Sequence, residues 1–345
     1  MTDAPENKIT AMDVARLAGV SQSAVSRVFT PGASASKRTV EKVRAAAEQL
    51  GYRPNPLARA MITGRTRIIG LVVAYLENQF YPMALEHLSR ALQARGYHIL
   101  VFMAENSTDK IAEVMQELID YRVDGIITAS VGMSNDLTAR LTALGIPVVL
   151  FNRGQDDPRL SEVTSDNIAG ARRATRFLVD AGHRRIAHVM GWQGSSTGRD
   201  RAAGFRQAMA EAGLEPFAMI DGMYSRETAA QVARSLCAAG NALERPDAIF
   251  VGNDHMAFAV MDELRFSLGL RVPQDVSVIG YDDVPMAAWP AYGLTTIRQP
   301  VNRMVSATLE ALLGQIEGED RPRKTRIDGP LMVRHSARIP EGYDT

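Results

Sequence analysis

Polar side chains at positions 21–27 are spaced so that one face of a short helix can make hydrogen bonds. Ser21 can cap a helix that begins at Gln22, and Val25 and Val28 would then point inward. The outward face holds the polar residues of the segment, namely Gln22, Ser23, Ser26 and Arg27. Amide, hydroxyl and guanidinium groups in this arrangement can bind base edges and phosphates in the major groove of DNA.

A second set of polar and aromatic residues stands where predicted strands end. We select Phe80, Ser130, Asn152, Arg199, Arg201, Asn253, Asp282, Trp289 and Gln299. Further polar residues at the same strand ends include Asn78, Arg153 and Asp254. Ligands of open parallel sheets bind outside the carboxyl ends of the strands. Amide, carboxylate, guanidinium and aromatic groups suit a polyhydroxylated or small anionic molecule, so we predict a small-molecule site there.

The elements around the first set predict a helical domain over residues 1–53. Thr10 can cap a first helix, and Gly19 would end it. The apolar stripe of this helix is expected to be Val14, Leu17 and Ala18. With a third helix over 37–50, the domain has three helices. Two short helices joined at a glycine, with a polar second helix, are typical of a helix-turn-helix. A solvated helical hairpin is the alternative.

Residues 54–66 predict a short hinge helix. Asn55, followed by a proline, is a strong start signal, and Thr63-Gly64 would end the helix. A helix this short is marginal in water, so we expect it to fold together with a partner helix and DNA. Leu57 and Met61 could then make apolar contacts in a minor groove. A plain capped linker is the alternative.

From residue 67 onward, short apolar strands alternate with amphipathic helices, as in parallel α/β sheets. The pattern occurs twice, so we predict two doubly wound parallel-sheet lobes within 67–345. The first lobe is expected over 67–165 plus about 296–323, and the second over about 166–295 plus 324–345. A helix at Val301–Leu313 would return to the first lobe, and a last strand at 324–333 would close the second.

The chain has balanced charge overall but not along its length. Residues 1–66 contain ten Lys and Arg against five Asp and Glu, so their net charge is +5 and that of the remainder is −5. A basic head fits contact with phosphates, because each neutralised phosphate releases counterions.

The 345 residues contain no apolar run long enough for a membrane span and no export signal, so a cytoplasmic, nucleoid-associated location is expected. The single cysteine, Cys237, is expected to be buried.

Other chemistries have weaker support in the sequence. The stretch Gly194-Ser195-Ser196-Thr197-Gly198 matches the G-x-S-x-G of a serine hydrolase, with Ser196 followed by Asp254 or Asp282 and by His335. Three residues separate it from the predicted strand, whereas a nucleophile elbow turns directly off its strand.

No G-x-G-x-x-G follows the first strand, and His183 and His188 lack the spacing of a helical metal pair. A transport-type binding protein would share the core but not the basic head. We therefore expect no enzyme, cofactor or metal.

The chain resembles the lactose-repressor (LacI/GalR) family of bacterial transcription regulators. The resemblance begins with VARLAGVSQSAVSRV and RPNPLARAM, and it continues through YRVDGII, PVVLFNR, SDNIAG, AGHRRIAH, FVGNDHMA, VPQDVSVIGYDD and LTTIRQP. It implies a repressor that forms a homodimer, has a periplasmic-binding-protein-like core and binds a palindromic operator. An effector between the lobes would change their relative rotation and so fold or melt the hinge helices. No leucine heptads follow Val333, so a dimer is expected rather than a tetramer.

The same resemblance assigns roles to residues. Operator bases would be read by Gln22, Ser23 and Arg27, and phosphates would be bound by Ser21 and Ser26. The hinge contacts would come from Asn55, Leu57, Ala58 and Met61, with Met61 in the place of an inserted apolar residue that is usually Leu. The effector would be bound by Phe80, Asn152, Arg199 or Arg201, Asn253, Asp282 and Gln299. The choice of arginine, the effector and the direction of its effect stay open.

Overall fold

The computed structural model describes residues 9–30, 33–53, 64–104, 108–238, 241–319 and 321–343. Contacts divide the chain into two compact units with the boundary between Arg67 and Ile68. We call these units the head and the core. No helix within the described ranges is both long and apolar enough to span a membrane. The predictions for Asn55, Leu57, Ala58 and Met61 lie outside the described residues.

The head consists of α1 (Ala11–Ala18), α2 (Gln22–Phe29) and α3 (Lys37–Leu50). Each helix begins at a short polar residue whose side chain accepts a hydrogen bond from the first turn, and these residues are Thr10, Ser21 and Ser36. Gly19 ends α1 and Gly51 ends α3, at φ of 65° and 64°. Glycine adopts this left-handed conformation at little cost, so both helices stop where the sequence predicts.

One buried valine from each helix forms the centre of the head: Val14, Val25 and Val43. Tyr52 packs back on this bundle, with its ring centroid 6.0 Å from that of Phe29. The prediction for Leu17 is wrong, since this side chain is 47% exposed. The buried arc of α1 is centred on Val14, Ala15 and Ala18, and Leu17 projects from the adjoining side.

The first lobe is built on a sheet of six parallel strands. They are β1 (Ile68–Val73), β2 (His98–Met103), β3 (Gly125–Ala129), β4 (Val148–Phe151), β5 (Ser161–Ser165) and β11 (Lys324–Ile327). Their order is β11-β5-β4-β3-β1-β2. The helices are α4 (Phe80–Gln93), α5 (Thr108–Asp120), α6 (Asn135–Ala143) and α11 (Val301–Ile316). Helix α11 packs on α4, β4 and β5, so the predicted return to the first lobe is confirmed.

The second lobe repeats this plan. Its strands are β6 (Ile186–Met190), β7 (Ala218–Asp221), β8 (Ala248–Val251), β9 (Ser277–Asp282), β10 (Thr295–Arg298) and β12 (Leu331–Met332), in the order β12-β10-β9-β8-β6-β7. Only β12 is antiparallel to its neighbour among these strands. The helices are α7 (Asn167–Asp180), α8 (Ser196–Glu211), α9 (Arg226–Cys237) and α10 (Asp254–Asp262), which continues as a π-helical turn over Glu263–Ser267.

The chain crosses between the lobes at Asp166, at Gln299-Pro300 and at 328–330. The predicted single strand 324–333 is therefore wrong, because its first half is β11 of the first sheet and its second half is β12 of the second. Gly329 makes the break possible. A Cβ on this residue would lie 1.9 Å from the Arg298 carbonyl oxygen, so only glycine lets the chain pass that close. Likewise β10 belongs to the second sheet, which moves the predicted boundary at about 296 to position 299.

Candidate functional site

Loops that follow strands of one lobe are hydrogen-bonded to loops that follow strands of the other. The strand order reverses beside β1 in the first sheet and beside β6 in the second, and polar residues follow these strands and their neighbours. Asn78, after β1, donates to Asp282 at the end of β9, over 3.1 Å. The Gly154 backbone N–H, after β4, donates to the Ser196 hydroxyl at the start of α8, over 3.0 Å. The two rows of strand ends therefore meet across a cleft within the core.

Asp282 is the centre of a buried group that we call the interlobe cluster, which comprises Asn78, Arg201, Asp282 and Gln299. One carboxylate oxygen accepts from Gln299 Nε2 at 2.7 Å, and an Arg201 Nη lies 3.6 Å from the same oxygen. The other oxygen accepts from Asn78. All four side chains are almost fully buried. Side chains from the first lobe, from one crossing and from the second lobe therefore all bind the carboxylate of Asp282.

The structure separates the two candidate arginines by environment. Arg201 is fully buried, with its guanidinium carbon 3.7 Å from the centre of the Tyr281 ring. It donates to Asn167 Oδ1 at 2.8 Å and to the Gly252 carbonyl at 2.5 Å. Arg199 is exposed and donates to the Gln193 carbonyl at 3.2 Å. Arg201 therefore organises the cluster, whereas Arg199 stands at the surface of the cleft.

Two buried carboxyl groups lie close together beneath the cleft. Burial raises the pKa of Asp282, while Arg201 and the hydrogen bonds from Asn78 and Gln299 oppose that rise. Burial, and then the charge of Asp282, raises the pKa of Asp254 to about 8. Asp254 accepts from the Thr296 hydroxyl at 2.6 Å and from the Val284 backbone N–H at 3.0 Å. Because the two carboxyl groups act on each other, a charge placed beside the cluster would change the pKa of both.

Buried polar atoms without hydrogen-bond partners concentrate at the cleft. The described residues contain seven such side-chain atoms, and four of them follow strands that end there. These four are Asn152 Oδ1, Arg153 Nε, Asn253 Nδ2 and Gln299 Oε1. A buried polar atom that is left unpaired is costly, so most such atoms have partners in the functional state. Donors and acceptors from both lobes are thus available to a ligand.

A cavity of about 350 Å³ opens between the loop after β4 and the start of α8, and its lining includes no member of the interlobe cluster. Its polar lining includes Arg153 and Gln155 after β4 and Ser195, Ser196 and Arg199 at the start of α8. Trp192 supplies an aromatic wall, and the Arg153 guanidinium lies 5.9 Å from its ring centre. The volume lies within the range of small-molecule sites. The first two turns of α8 thus face the loop after β4 across this space.

Some selected residues do not fit the predicted roles. Phe80 is fully buried, where it stacks on Phe151, and it does not line the cavity. Trp289 is 52% exposed after a 3₁₀ turn and makes no described contact with the cluster, so the aromatic wall is Trp192 and not Trp289. Ser130 is buried with its hydroxyl accepting from the Ala74 backbone N–H, which joins the ends of β3 and β1. The selected set omits Asn78 and Arg153, although both stand at strand ends in the sequence.

In the head, the predicted base-reading residues lie on the surface of α2. Gln22, Ser23 and Arg27 are exposed, and Ser26 is half-buried. Arg27 Nε donates to the Ser23 carbonyl at 3.3 Å, which holds the side chain along the helix. Ser21 is the N-cap and accepts from the Ala24 backbone N–H at 3.2 Å. The face predicted to carry amide, hydroxyl and guanidinium groups is therefore the solvent face.

The residues of the rival chemistries have other partners. The Ser196 hydroxyl oxygen accepts from Gly154, and Asp254 is held by Thr296 and Val284. The backbone N–H of His335 donates to the Gly293 carbonyl. His183 Nδ1 lies 3.3 Å from Asp247, and His188 Nδ1 donates to the Phe250 carbonyl at 2.9 Å. The aspartate and the three histidines thus serve the packing of the second lobe, whereas Ser196 joins the two lobes.

Comparison with known proteins extends these observations. A model of bacterial regulatory proteins of the lacI family matches residues 10–55, and a model of periplasmic binding protein-like domains matches residues 175–337. The HTH-type transcriptional repressor PurR of Photobacterium profundum is 32% identical over 95% of this chain and 98% of its own length. PurR of Vibrio parahaemolyticus is 33% identical, again over 95% of this chain and 98% of its own.

Solved structures agree with these matches. The crystal structure of the Lac repressor dimer bound to operator and the anti-inducer ONPF superposes with a TM-score of 0.86 at 27% identity, covering 96% of this chain and 99% of its own. The complex of the transcriptional regulator CelR with cellobiose gives a TM-score of 0.71 at 32% identity, covering 95% of this chain and all of its own. Head and core are therefore matched together in single relatives, and the chain belongs to the lacI family of bacterial regulatory proteins.

Proposed function

We propose that this protein is a cytoplasmic transcriptional repressor that binds a palindromic operator as a homodimer and responds to a small polar molecule in the cleft of the core. One observation carries the proposal: a polar, solvent-facing second helix of a helix-turn-helix occurs in the same chain as two lobes whose facing strand ends hold buried, unpaired polar atoms. The first feature suits DNA and the second a small ligand. Relatives that match this chain over both head and core are named as repressors.

For DNA contact, we assign base reading to Gln22, Ser23 and Arg27 and phosphate contacts to Ser21 and Ser26. Arg27 is the most informative of these, because a guanidinium can bind guanine through two hydrogen bonds. Asn55, Leu57, Ala58 and Met61 keep their proposed contacts in the hinge. The basic charge of residues 1–66 supports a sequence-independent component of affinity.

For the effector, we assign the interlobe cluster together with Asn152, Arg153, Arg199 and Asn253. The cluster connects both lobes, so a ligand that replaces the bond between Asn78 and Asp282 would change how the lobes are held relative to each other. Such a change can reach DNA only through the dimer, since the paired heads must match two half-sites. Phe80 and Ser130 would support the site from behind.

For the dimer, we assign the edge strand β2. This strand is last in its sheet, and its apolar Val101 and Met103 are 40% and 50% exposed. Exposed apolar edge strands tend to pair with another chain, and a second copy of the protein would cover β2. An isologous contact through the first lobe would leave the cleft free to open and close.

The direct test of DNA reading is the affinity of wild type and Arg27→Ala for a selected operator and for random duplex, by fluorescence anisotropy at physiological salt. Wild type is expected to prefer the operator by about 10³-fold or more. Arg27→Ala should lose most of that preference, because each bidentate base contact is worth about 1–3 kcal/mol and a dimer makes two. Arg44→Ala removes the same charge from an exposed position of α3 and should keep the preference. An unchanged preference in Arg27→Ala would reject the assignment.

A further inference from the structure

Arg153 is a buried cation with no carboxylate beside it. Its side chain is 8% exposed, one Nη donates to the Ser130 carbonyl at 2.6 Å, and Nε has no partner among the described residues. Trp192 and Tyr224 flank the guanidinium, with ring centres 5.9 and 5.6 Å from its carbon. Within the described ranges, no Asp or Glu forms an ion pair with Arg153. Because arginine stays charged and an unpaired buried charge is costly, this position favours a bound anion.

The start of α8 adds positive potential to the same cavity. This helix has 16 residues, and Ser195 caps it by accepting from the Gly198 backbone N–H at 3.1 Å. The backbone N–H groups of Ser196 and Thr197 make no hydrogen bond to the described residues. The Ser196 hydroxyl oxygen accepts from Gly154, so its hydrogen remains available to a ligand. Free N–H groups and the helix dipole make such a terminus an anion site when a cation stands opposite.

Nearby acidic groups leave this positive charge uncompensated. Asp282 is held by the interlobe cluster, and Asp221 accepts from the backbone N–H groups of Gln193 and Met223 at 3.1 and 2.8 Å. Glu162 is buried beside Gly154 and accepts from the Gln155 backbone N–H at 3.1 Å, but it pairs with Lys324 at 3.6 Å. Asp156 lines the cavity but is exposed, where solvent screens its charge. Arg199, at the mouth, adds a second guanidinium. The residues that line the cavity therefore carry two positive charges, on Arg153 and Arg199, against one negative charge on Asp156, a net charge of +1.

We propose that the effector carries a carboxylate, which Arg153, Arg199 and the first turn of α8 bind. The inference rests on the proposed function of the cleft and narrows its ligand to a small polyhydroxylated acid. The unpaired atoms of Asn152, Asn253 and Gln299 lie at neighbouring strand ends outside the lining of this cavity, where they are available to hydroxyl groups that extend beyond it. A cavity of about 350 Å³ suits a molecule of this size.

A carboxylate fits this site better than a neutral sugar or a phosphate ester. Its single negative charge matches the net charge of +1 that Arg153, Arg199 and Asp156 give the lining of the cavity, and its two coplanar oxygens match the planar guanidinium of Arg153. A neutral sugar would leave Arg153 without a counter-charge. A phosphate ester would bring two negative charges to a cavity whose lining has a net charge of only +1.

A test independent of the sugar skeleton uses glycolate, a monocarboxylate, as the probe. Thermal unfolding of the full chain is followed against glycolate concentration, with sodium chloride of equal ionic strength as the reference. Glycolate should stabilise wild type, and its apparent dissociation constant should rise about tenfold or more in Arg153→Met and Arg199→Met. Arg206→Met removes an exposed arginine from the same helix and should respond like wild type. Equal responses in all four proteins would overturn the proposal, and Arg199→Met keeps the test valid if Arg153→Met does not fold, since Arg199 is exposed.

A second experiment compares the dissociation constants of ligands that share one carbon skeleton: D-glucose, D-gluconate, D-glucuronate and glucose 6-phosphate. The corresponding derivatives of galactose are measured in the same way. A carboxylate member should bind at least about tenfold more tightly than its neutral and phosphorylated counterparts. A preference for a neutral or phosphorylated member would overturn the carboxylate assignment. If a neutral molecule changes operator affinity and this effect requires Asp282, the proposed function holds and only the carboxylate inference is rejected.

Discussion

At the scale of single residues, the second lobe contains a buried imidazole that makes stability depend on pH. His188 lies in β6 between aromatic rings, with centroids 4.6 Å from Phe250 and 5.0 Å from Phe205. Burial lowers its pKa from 6.5 to about 4. The folded protein therefore keeps His188 neutral at a pH where the unfolded chain binds a proton. Stability from this residue is complete above pH 6.5 and is lost as the pH falls towards about 4.

We predict that His188→Phe flattens this dependence. An aromatic ring of similar size keeps the packing between Phe205 and Phe250 but cannot bind a proton. Between pH 7 and pH 4, wild type should lose about 3 kcal/mol more stability than the variant, at about 1.4 kcal/mol per pKa unit. Urea unfolding at a series of pH values measures this difference. His335→Gln, at an exposed histidine outside the strand assigned to the dimer, should keep the wild-type slope, and a wild-type slope in His188→Phe would contradict this explanation.

The sequence locates polar residues at strand ends but does not reveal which of them are buried. Arg199 and Arg201 are two positions apart at the start of one helix, and only packing against Tyr281 shows that Arg201 is the buried one. Trp289 follows Asp282 closely in the sequence, which suggests a place in the site, yet the chain turns its ring to solvent. Arg153 is the opposite case, since its role depends on Trp192 and Tyr224, which are distant in sequence.

At the scale of elements, α8 carries both arginines and is fixed by a close contact with α7. A Cβ on Gly204 would lie 2.3 Å from the Ile168 carbonyl oxygen and 3.0 Å from the Arg172 backbone nitrogen. The backbones of the two helices therefore approach as closely as a glycine allows. This contact sets the position of the helix start that faces the cavity.

We predict that Gly204→Ala destabilises the protein by about 1–3 kcal/mol, because α8 must move away from a backbone that cannot yield. The matched control is Gly314→Ala in α11, where a Cβ would meet only the end of the flexible Glu319 side chain. This control should be neutral or stabilising by up to about 1 kcal/mol through helix propensity. Chemical unfolding of both variants measures the effect, and equal stabilities would reject the close-contact account.

Strands with polar side chains are the elements that hydrophobic pattern does not detect. Ser161–Ser165 is buried along its whole length although only Val163 is apolar. Ser161 accepts from the Arg323 backbone N–H at 3.0 Å, and Ser165 bonds to the Tyr281 hydroxyl at 3.0 Å. In β10, Thr296 donates to Asp254. These partners are distant in sequence, so neither strand could be predicted from local alternation.

At the scale of the whole molecule, the repeated α/β pattern and the crossing of α11 were predictable because amphipathic helices and apolar strands have distinct periods. The crossing at 328–330 could not be predicted, because it depends on how closely Gly329 approaches the Arg298 carbonyl oxygen. This crossing matters for function. Three crossings connect the lobes, and the cluster around Asp282 lies at one of them through Gln299. A ligand bound at the cluster therefore acts on the elements about which the lobes can turn.

The most direct test of the central claim is the dissociation constant for a selected operator, with and without saturating effector, in wild type, Asp282→Asn and the exposed-surface control Asp180→Asn. Asparagine keeps the size of Asp282 but removes the charge that Arg201, Asn78 and Gln299 bind. We expect effector to change operator affinity about 5- to 150-fold in wild type and in Asp180→Asn, which is the usual range of coupling between sites. In Asp282→Asn, effector should not change operator affinity. An equal change in Asp282→Asn, or no change in wild type, would contradict the central claim.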